Sequence, residues 1–375
     1  MPAKPKLIQK QKNMLRVIYA LVPIGLLGIY FFGWRVAALY AVTQAAGFAT
    51  EYIMTRRRGK PVSTANFVTC MLLAFSLPPL TPLYVAAVGA VVAVLFAKEV
   101  FGGFGKNFAN PAITGRAFLY LCFPMDLTGQ FVPAFKGFPG GFLHWSFRTA
   151  YEGAAQLPEY VAAGGKDISA AISQASPMWV AKTEGIDLAN QTIGDVSIWD
   201  MLLGTIGGTY QAGGATYVQV AGSIGEGCGL LIAIAGIYLL WTKTANWRLM
   251  IPGFVGVIFA NTLFRDVLGY QAVPPLQWQL LAGTTMYAAV FMITDPVSAP
   301  NKPAAQMSYG FLIGFLVVFL RWQGVFVAAA TFAILLGNLC GPLLDLGAEA
   351  WQNRRKAGSQ AKPAPQTVKA AKEKS

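Results

Sequence analysis

Ten apolar runs separated by polar connections account for most of this chain. They lie at about 14–32, 35–53, 63–79, 82–99, 110–124, 223–241, 248–265, 278–294, 307–321 and 324–345. A helix needs about 20 apolar residues to span a bilayer, and it satisfies its backbone hydrogen bonds within the segment, as the hydrocarbon core requires. The sequence therefore predicts an all-α integral membrane protein with about ten transmembrane helices.

Composition agrees with a multi-span membrane protein. The 375 residues are 55% hydrophobic and 12% charged, with a mean hydropathy of +0.50. The net charge of +13 is concentrated beside apolar runs, in 4–12, 56–60 and 354–374. By the positive-inside rule this pattern predicts that both termini are cytoplasmic, and it argues against a nucleic-acid partner. Membrane lipid is the expected environment.

The chain offers few metal ligands. Its four cysteines contain no CxxC pair, and His144 is its single histidine. A cysteine-ligated cluster or a bis-histidine haem within this chain alone is therefore not expected.

A polar stretch at 101–118 interrupts two apolar runs. Asn107 and Asn110 are three residues apart, and Arg116 lies inside the run that follows. If the segment is helical, the two amides share one face, where each offers a donor and an acceptor to a ligand. The alternative is capping, with Asn110 before a helix that starts at Pro111. Arg116 is expected to hold a ligand or to pair with an acid, because a bare charge is costly at membrane depth.

Two segments of the chain resemble each other. Residues 66–82 are similar to 283–300, and each is followed by an element that contains Asn and Pro: Asn110-Pro111 in the first half, Asn338 to Pro342 in the second. Five spans per repeat give the halves opposite topology. We therefore predict a basic cytoplasmic N-terminus (1–13), a first repeat (14–124), an external region (125–222), a second repeat (223–345) and a disordered cytoplasmic tail (346–375). The alternative is that the prolines are only turn signals at helix ends.

Five elements, taken in order, resemble a known family. They are Phe67 to Thr69 with Leu77 to Leu83, Gly105 to Leu119, Trp199 to Gly204, Gly222 to Glu226, and Thr294 to Pro300 followed by Tyr309 to Gly314. The set resembles the B subunit of the Na⁺-translocating NADH:quinone oxidoreductase and the D subunit of the Rnf electron transport complex. The resemblance covers about residues 14–345.

The resemblance implies a fold similar to urea transporters and a place in the bacterial inner membrane. It further implies a subunit of an Nqr/Rnf-type oxidoreductase complex that translocates Na⁺ or H⁺, with the other subunits as partners and quinone as a candidate acceptor. The implied cofactors are FMN, attached through a phosphoester, and a riboflavin or second flavin in the membrane. Asn107 and Asn110 are the implied membrane flavin site, and Arg116 is a further candidate to hold the flavin, from its charge within an apolar run.

Two hydroxyl residues are candidates for the covalent attachment. Ser176 falls where the family has its flavinylated Thr, and Pro177 keeps the proline that follows, but Gln174 and Ala170 depart from the family pattern. Thr216 has the Gly-Ala-Thr core but comes later in the order than expected. The alternative for both is an ordinary loop turn, which leaves the flavin unattached.

Glu226 and Asp295 are candidates for an ion path at the ends of spans. Glu226 with Ser223 also fits a capping box, and Asp295 before Pro296 also fits a helix end.

Two other functions remain open, because fold does not fix function: a urea-type solute channel, and a flavin-free scaffold of a redox complex. The sequence offers no residue that catalyses a reaction by itself.

Overall fold

Helix dominates the computed structural model, which describes residues 7–135, 137–146, 198–204, 209–212, 215–218, 222–324 and 329–360. Side chains are described in all of these ranges except 209–212, 215–218 and 357–360. The helices are α1 (Lys12–Phe32), α2 (Arg35–Arg57), α3 (Ala65–Phe75), α4 (Leu83–Val94), α5 (Pro111–Cys122), α6 (Pro124–Thr128), α7 (Ile198–Leu203), α8 (Gly229–Trp241), α9 (Trp247–Asn261), α10 (Leu276–Leu281), α11 (Thr285–Tyr287), α12 (Pro303–Gln323) and α13 (Ala329–Gln360).

Strands are short. β1 (Ile8–Gln9) pairs in parallel with β2 (Val62–Ser63), so the segment before α1 is held against the segment before α3. β3 (Thr209–Ala212) and β4 (Ala215–Val218) form an antiparallel pair.

Every predicted apolar run contains helix, and four stretches in the described part of the chain are long and apolar enough to cross a membrane. These four are Lys12–Phe32, Trp247–Val267, Pro303–Gln323 and Ala329–Lys356. The structure is thus consistent with an all-α membrane protein. The count of ten spans stays a prediction, because several of the remaining helices are short.

Prolines account for the early end of α3, and a left-handed glycine accounts for the division between α10 and α11. α3 has 11 residues and is followed by Pro78 and Pro79, which lack the N–H needed to continue it. The second-half segment 276–292 is divided between α10 and α11 at Gly283, whose φ of +78° suits glycine.

The two halves pack in the same pairwise order. In the first half, α2 packs on α4 and α4 packs on α5; in the second, α9 packs on α12 and α12 packs on α13. Contacts between α1 and α8, and between α5 and α13, join the halves. Glycines allow close backbone approach in both: a Cβ on Gly115 would lie 2.6 Å from the carbonyl oxygen of Gly89, and one on Gly314 would overlap that of Gly253.

The predicted disorder of residues 346–360 is wrong, because α13 continues to Gln360. Side chains on this helix make specific contacts. Asp345 accepts hydrogen bonds from the backbone N–H groups of Asn301 and Lys302, and the Lys302 ammonium lies 2.9 Å from Glu349. These contacts join the C-terminal part of α13 to the start of α12, although that part of α13 has a polar composition.

The second Asn-and-Pro element does not begin a helix, unlike the first. Asn338 and Pro342 both lie inside α13. Asn338 accepts a 2.9 Å hydrogen bond from the hydroxyl of Tyr309 on α12. The similarity between the two elements is therefore one of sequence, with different local conformations.

Candidate functional site

A cavity lies between the two halves and collects several of the sequence elements singled out above. Its volume is about 730 Å³, including the open mouth. The lining residues come from both halves: Asn13, Met14, Val17, Ala65, Val68, Thr69, Leu72, Lys98, Phe104, Asn107, Asn110, Pro111, Leu239, Thr244, Ala245, Phe291, Thr294, Asp295, Pro296 and Val297.

Two π-helical turns contribute to this wall. The helix α4 continues as a π turn over Leu95–Glu99, which carries Lys98, and α11 continues as a π turn over Ala288–Met292, which carries Phe291. Such turns occur often at functional sites, because the inserted residue changes the direction of the side chains that follow.

Asn107 and Asn110 both line the cavity, but they do not share a helical face. Asn107 lies in an irregular segment, and its side-chain amide donates to the carbonyl of Ala109 at 3.2 Å. No described residue donates a hydrogen bond to the Asn107 side-chain oxygen. The assumption of a helix through 107–110 is therefore wrong, because Pro111 permits a helix start only after Asn110.

Asn110 is the N-cap of α5. Its side-chain oxygen accepts from the N–H groups of Ala112 (3.0 Å) and Ile113 (3.3 Å), and its amide donates to the carbonyl of Met292 at 3.4 Å. The capping alternative is thus confirmed, and Asn110 also fixes the start of α5 against the second half.

A buried ion pair stands at the cavity wall. The Lys98 ammonium lies 2.7 Å from Glu51 and 2.7 Å from the Ser63 hydroxyl, with Lys98 and Glu51 only 2% and 1% exposed. Glu51 also accepts from the N–H and the hydroxyl of Ser63, each at 2.8 Å. Lys98 lines the cavity, whereas Glu51 and Ser63 are not among the lining residues. Breaking such a pair by removing one partner is costly, because the other charge is left buried.

A second ion pair adjoins the first. The neighbouring Glu99, 2% exposed, pairs with Arg58 at the end of α2. Lys98, Glu51 and Glu99 were not among the site residues expected from the sequence. The signal that identifies them is charge within apolar runs, but their pairing depends on how α2 and α4 pack.

Asp295 also lines the cavity, from the second half. Its two carboxylate oxygens accept from the Val297 N–H at 3.1 Å and from the Ser298 hydroxyl at 2.9 Å. These are the hydrogen bonds of a turn at a helix end, so the alternative that Asp295 marks a helix end is confirmed. A role in an ion path stays a prediction.

Arg116 lies apart from the residues that line the cavity. It is 2% exposed, and its guanidinium contacts the ring and hydroxyl of Tyr120, one turn along α5. Its Nε and one terminal nitrogen are buried without a hydrogen-bond partner in the described part of the chain. The structure thus separates Arg116 from the two asparagines.

The remaining candidates lie elsewhere. Glu226 forms the capping box with Ser223 on the short helix Ile224–Glu226, which confirms the capping alternative given for it above. Ser176 lies outside the described residues. Thr216 pairs with Gln211 in the β3–β4 hairpin, where side chains are not described.

Together these features define a class: an α-helical membrane protein with two similarly packed halves and a polar cavity between them. The family model described as "NQR2, RnfD, RnfE family" matches residues 4–350. The chain belongs to this family.

Named relatives are of two kinds. The chain is 35% identical over 314 residues to the B subunit of the Na⁺-translocating NADH-quinone reductase of Azotobacter vinelandii, an alignment that covers 82% of this chain and 65% of that protein. It is 31% identical over 358 residues to the D subunit of the ion-translocating oxidoreductase complex of Shewanella amazonensis, covering 90% and 92% respectively. The corresponding D subunit of Aeromonas hydrophila is 33% identical, with the same coverage. The chain thus spans about two thirds of the length of the B subunits.

Proposed function

We propose that this protein is a membrane subunit of a redox-driven, ion-translocating electron transport complex. In this role it relays electrons through flavin, either toward quinone or between NADH and ferredoxin, and the complex moves Na⁺ or H⁺. The names of its relatives support this class of complex. The observation that carries the proposal is the cavity between the two halves, whose mainly apolar wall also contains asparagine, threonine, lysine and the carboxylate of Asp295.

The topology that accompanies this function is an inverted repeat of two five-helix units, as in urea transporters. The matching pairwise order of helix packing in the two halves supports it. The basic residues near Lys10, Arg56 and Arg355 favour a cytoplasmic position of both termini. The bacterial inner membrane is the location that the family resemblance implies. Partners in this proposal are the other subunits of an Nqr- or Rnf-type complex.

The cavity residues fit a flavin. The imide edge of an isoalloxazine alternates acceptors and donors, and Asn107 offers a side-chain oxygen that no described residue occupies as well as an amide group. Lys98 from the first half and Thr244 from the second add polar groups to the lining, and Val68, Leu72 and Phe291 provide apolar surface for the ring faces. When bound, the flavin supplies the one- and two-electron chemistry.

The chain's own residues bind and position that group in this proposal. Asn107 hydrogen-bonds the imide edge. Asn110 keeps the α5 start in place, because its oxygen is committed to Ala112 and Ile113. Arg116, which is buried beside Tyr120, contributes long-range positive charge and not direct contact.

Flavin content of the purified protein tests the membrane site. Released flavin is measured by chromatography after denaturation of the wild type, Asn107→Ala and the control Asn353→Ala, whose side chain is exposed on α13. We expect flavin in the wild type and control, and a loss of at least tenfold in Asn107→Ala. A wild type without flavin contradicts the redox function and favours a solute channel or a flavin-free scaffold.

Covalent attachment is a separate question with its own experiment. Flavin fluorescence of the denatured band in a gel is compared between the wild type, Ser176→Ala and Thr216→Ala, expressed with a flavin transferase. Loss of fluorescence in Ser176→Ala alone assigns the FMN phosphoester to Ser176, and loss in Thr216→Ala alone assigns it to Thr216. A wild-type band without flavin fluorescence contradicts covalent attachment. The flavin site proposed for this chain is then the membrane cavity alone.

A further inference from the structure

The buried pair Lys98–Glu51 is oriented with respect to the cavity. Lys98 is a lining residue, whereas Glu51, 2.7 Å from its ammonium, is not. Glu51 in turn accepts hydrogen bonds from the N–H and the hydroxyl of Ser63. The pair is neutral as a whole, and of its two members only the cation belongs to a lining residue of the cavity.

The α5 N-terminus adds to the same field. Asn110 and Pro111, which begin this 12-residue helix, also line the cavity, so the positive end of the helix dipole lies there. The opposing charge is Asp295, the one acid among the lining residues in the described part of the chain. Its carboxylate accepts two hydrogen bonds, from Val297 and Ser298, which spread its charge.

Burial makes this arrangement effective. The Lys98 side chain is 2% exposed, so little water screens its charge from the cavity. A fixed, pre-oriented positive group favours whichever state of a ligand carries the more negative charge.

We propose that Lys98 is a positioning residue that makes the cavity bind the reduced form of its flavin more tightly than the oxidised form, and so raises the flavin's reduction potential. This inference rests on the proposed function, which supplies the electron donor. Two electrons from that donor and one proton from water reduce the bound flavin; one N–H bond forms on its ring system, and the bound group gains one negative charge. Lys98, anchored by Glu51 and Ser63, stabilises that charge.

The test compares the affinity of the purified protein for riboflavin in its oxidised and its chemically reduced form. The variants are Lys98→Met, Lys98→Gln, which can still donate a hydrogen bond to Glu51, and Lys98→Arg, which keeps the charge. The control is Lys302→Met, which removes a lysine from an exposed pair with Glu349. Redox titration of the bound flavin gives the same quantity independently.

We expect both neutral variants to lose at least tenfold more affinity for the reduced form than for the oxidised form. For this two-electron couple a tenfold change corresponds to about 30 mV, toward a more negative potential. Lys98→Arg and Lys302→Met should keep the wild-type ratio.

The outcomes separate the two proposals. If the neutral variants lose affinity for oxidised and reduced riboflavin by the same factor, or keep the wild-type reduction potential, the role of Lys98 is only structural. The inference is then overturned, while the proposed flavin function stands. If the wild type binds neither form, both are overturned. Lys98→Gln keeps the test informative if Lys98→Met does not fold.

Discussion

The two halves of the molecule pack their helices in the same order but stabilise them by different means. The first half buries charge: Glu51, Lys98 and Glu99 are each about 1–2% exposed, at the ends of α2 and α4 beside the cavity. In the described part of the second half there is no such buried acid–base pair. Glycines close its contact between α9 and α12, at Gly253 and Gly314, as they also close the contact between α4 and α5 in the first half. The buried cation of the second half, Arg321, bonds to carbonyl oxygens of Gln279 and Ala282 and to the Gln279 side chain.

This difference suggests a division of roles. Backbone contact through glycine gives a rigid interface with no charge to rearrange. A buried ion pair adds little stability relative to apolar packing, but it provides an oriented electric field. The first half is therefore the one expected to set the electrostatics of the cavity, and the second half serves as its fixed wall.

The largest effect is expected from Gly314→Leu. A side chain at this position would overlap the carbonyl oxygen of Gly253, so α12 would have to move away from α9. The loss should exceed the roughly 1–3 kcal/mol of ordinary overpacking, and little folded protein should survive extraction in detergent. Size-exclusion chromatography and thermal unfolding measure this.

Gly347→Ala is the matched control, because a Cβ there meets nothing within 4 Å. It should unfold at the wild-type temperature or slightly above. A Gly314→Leu protein with wild-type stability would show that the second half is not held by close backbone packing.

Breaking the buried pair comes next. Glu51→Ala leaves the Lys98 ammonium buried without its carboxylate, which should cost about 3–5 kcal/mol. Chemical denaturation in detergent, followed by tryptophan fluorescence, gives the change in free energy of unfolding. The double variant Glu51→Ala/Lys98→Met should be more stable than Glu51→Ala, since no charge is left unpaired. If the double variant is the less stable one, desolvation of Lys98 is not the cause.

Helix caps allow a direct comparison of the halves. Asn110→Ala removes the cap of α5 and Asn246→Ala that of α9, where Asn246 accepts from the Arg248 N–H at 3.0 Å. Each should cost about 1 kcal/mol, and serine at either position should restore most of it. Only the Asn110 change should also reduce flavin content, because Asn246 is not a lining residue of the cavity. Equal flavin loss in both would argue against a specific site at α5.

The smallest effect is expected from Lys302→Met. The side chains of Lys302 and Glu349 are 38% and 49% exposed, so water and salt screen their pair. The unfolding midpoint should not move, at low or at high salt. A clear loss of stability would mean that this pair, and not only Asp345, fixes the end of α13 on α12.

Local patterns predicted the site in part. The Asn110-Pro111 pair indicated a helix start, and the structure has α5 begin there. The capping box at Ser223 was also predicted, because it depends on residues three apart. The prediction that Asn107 and Asn110 share one helical face was wrong, because the proline that starts α5 disfavours helix in the residues before it. The cavity that nevertheless brings the two together depends on residues from both halves.

A helical membrane protein could be predicted from the residues alone, because long apolar runs must satisfy their own backbone hydrogen bonds in lipid. The order of its motifs was enough to indicate the family. The contact of Lys98 with Glu51, 47 residues away, in a chain whose cavity lining includes both Lys98 and Asp295, became visible in the folded molecule. Such a pairing depends on which helices pack together, and no spacing along the chain specifies it.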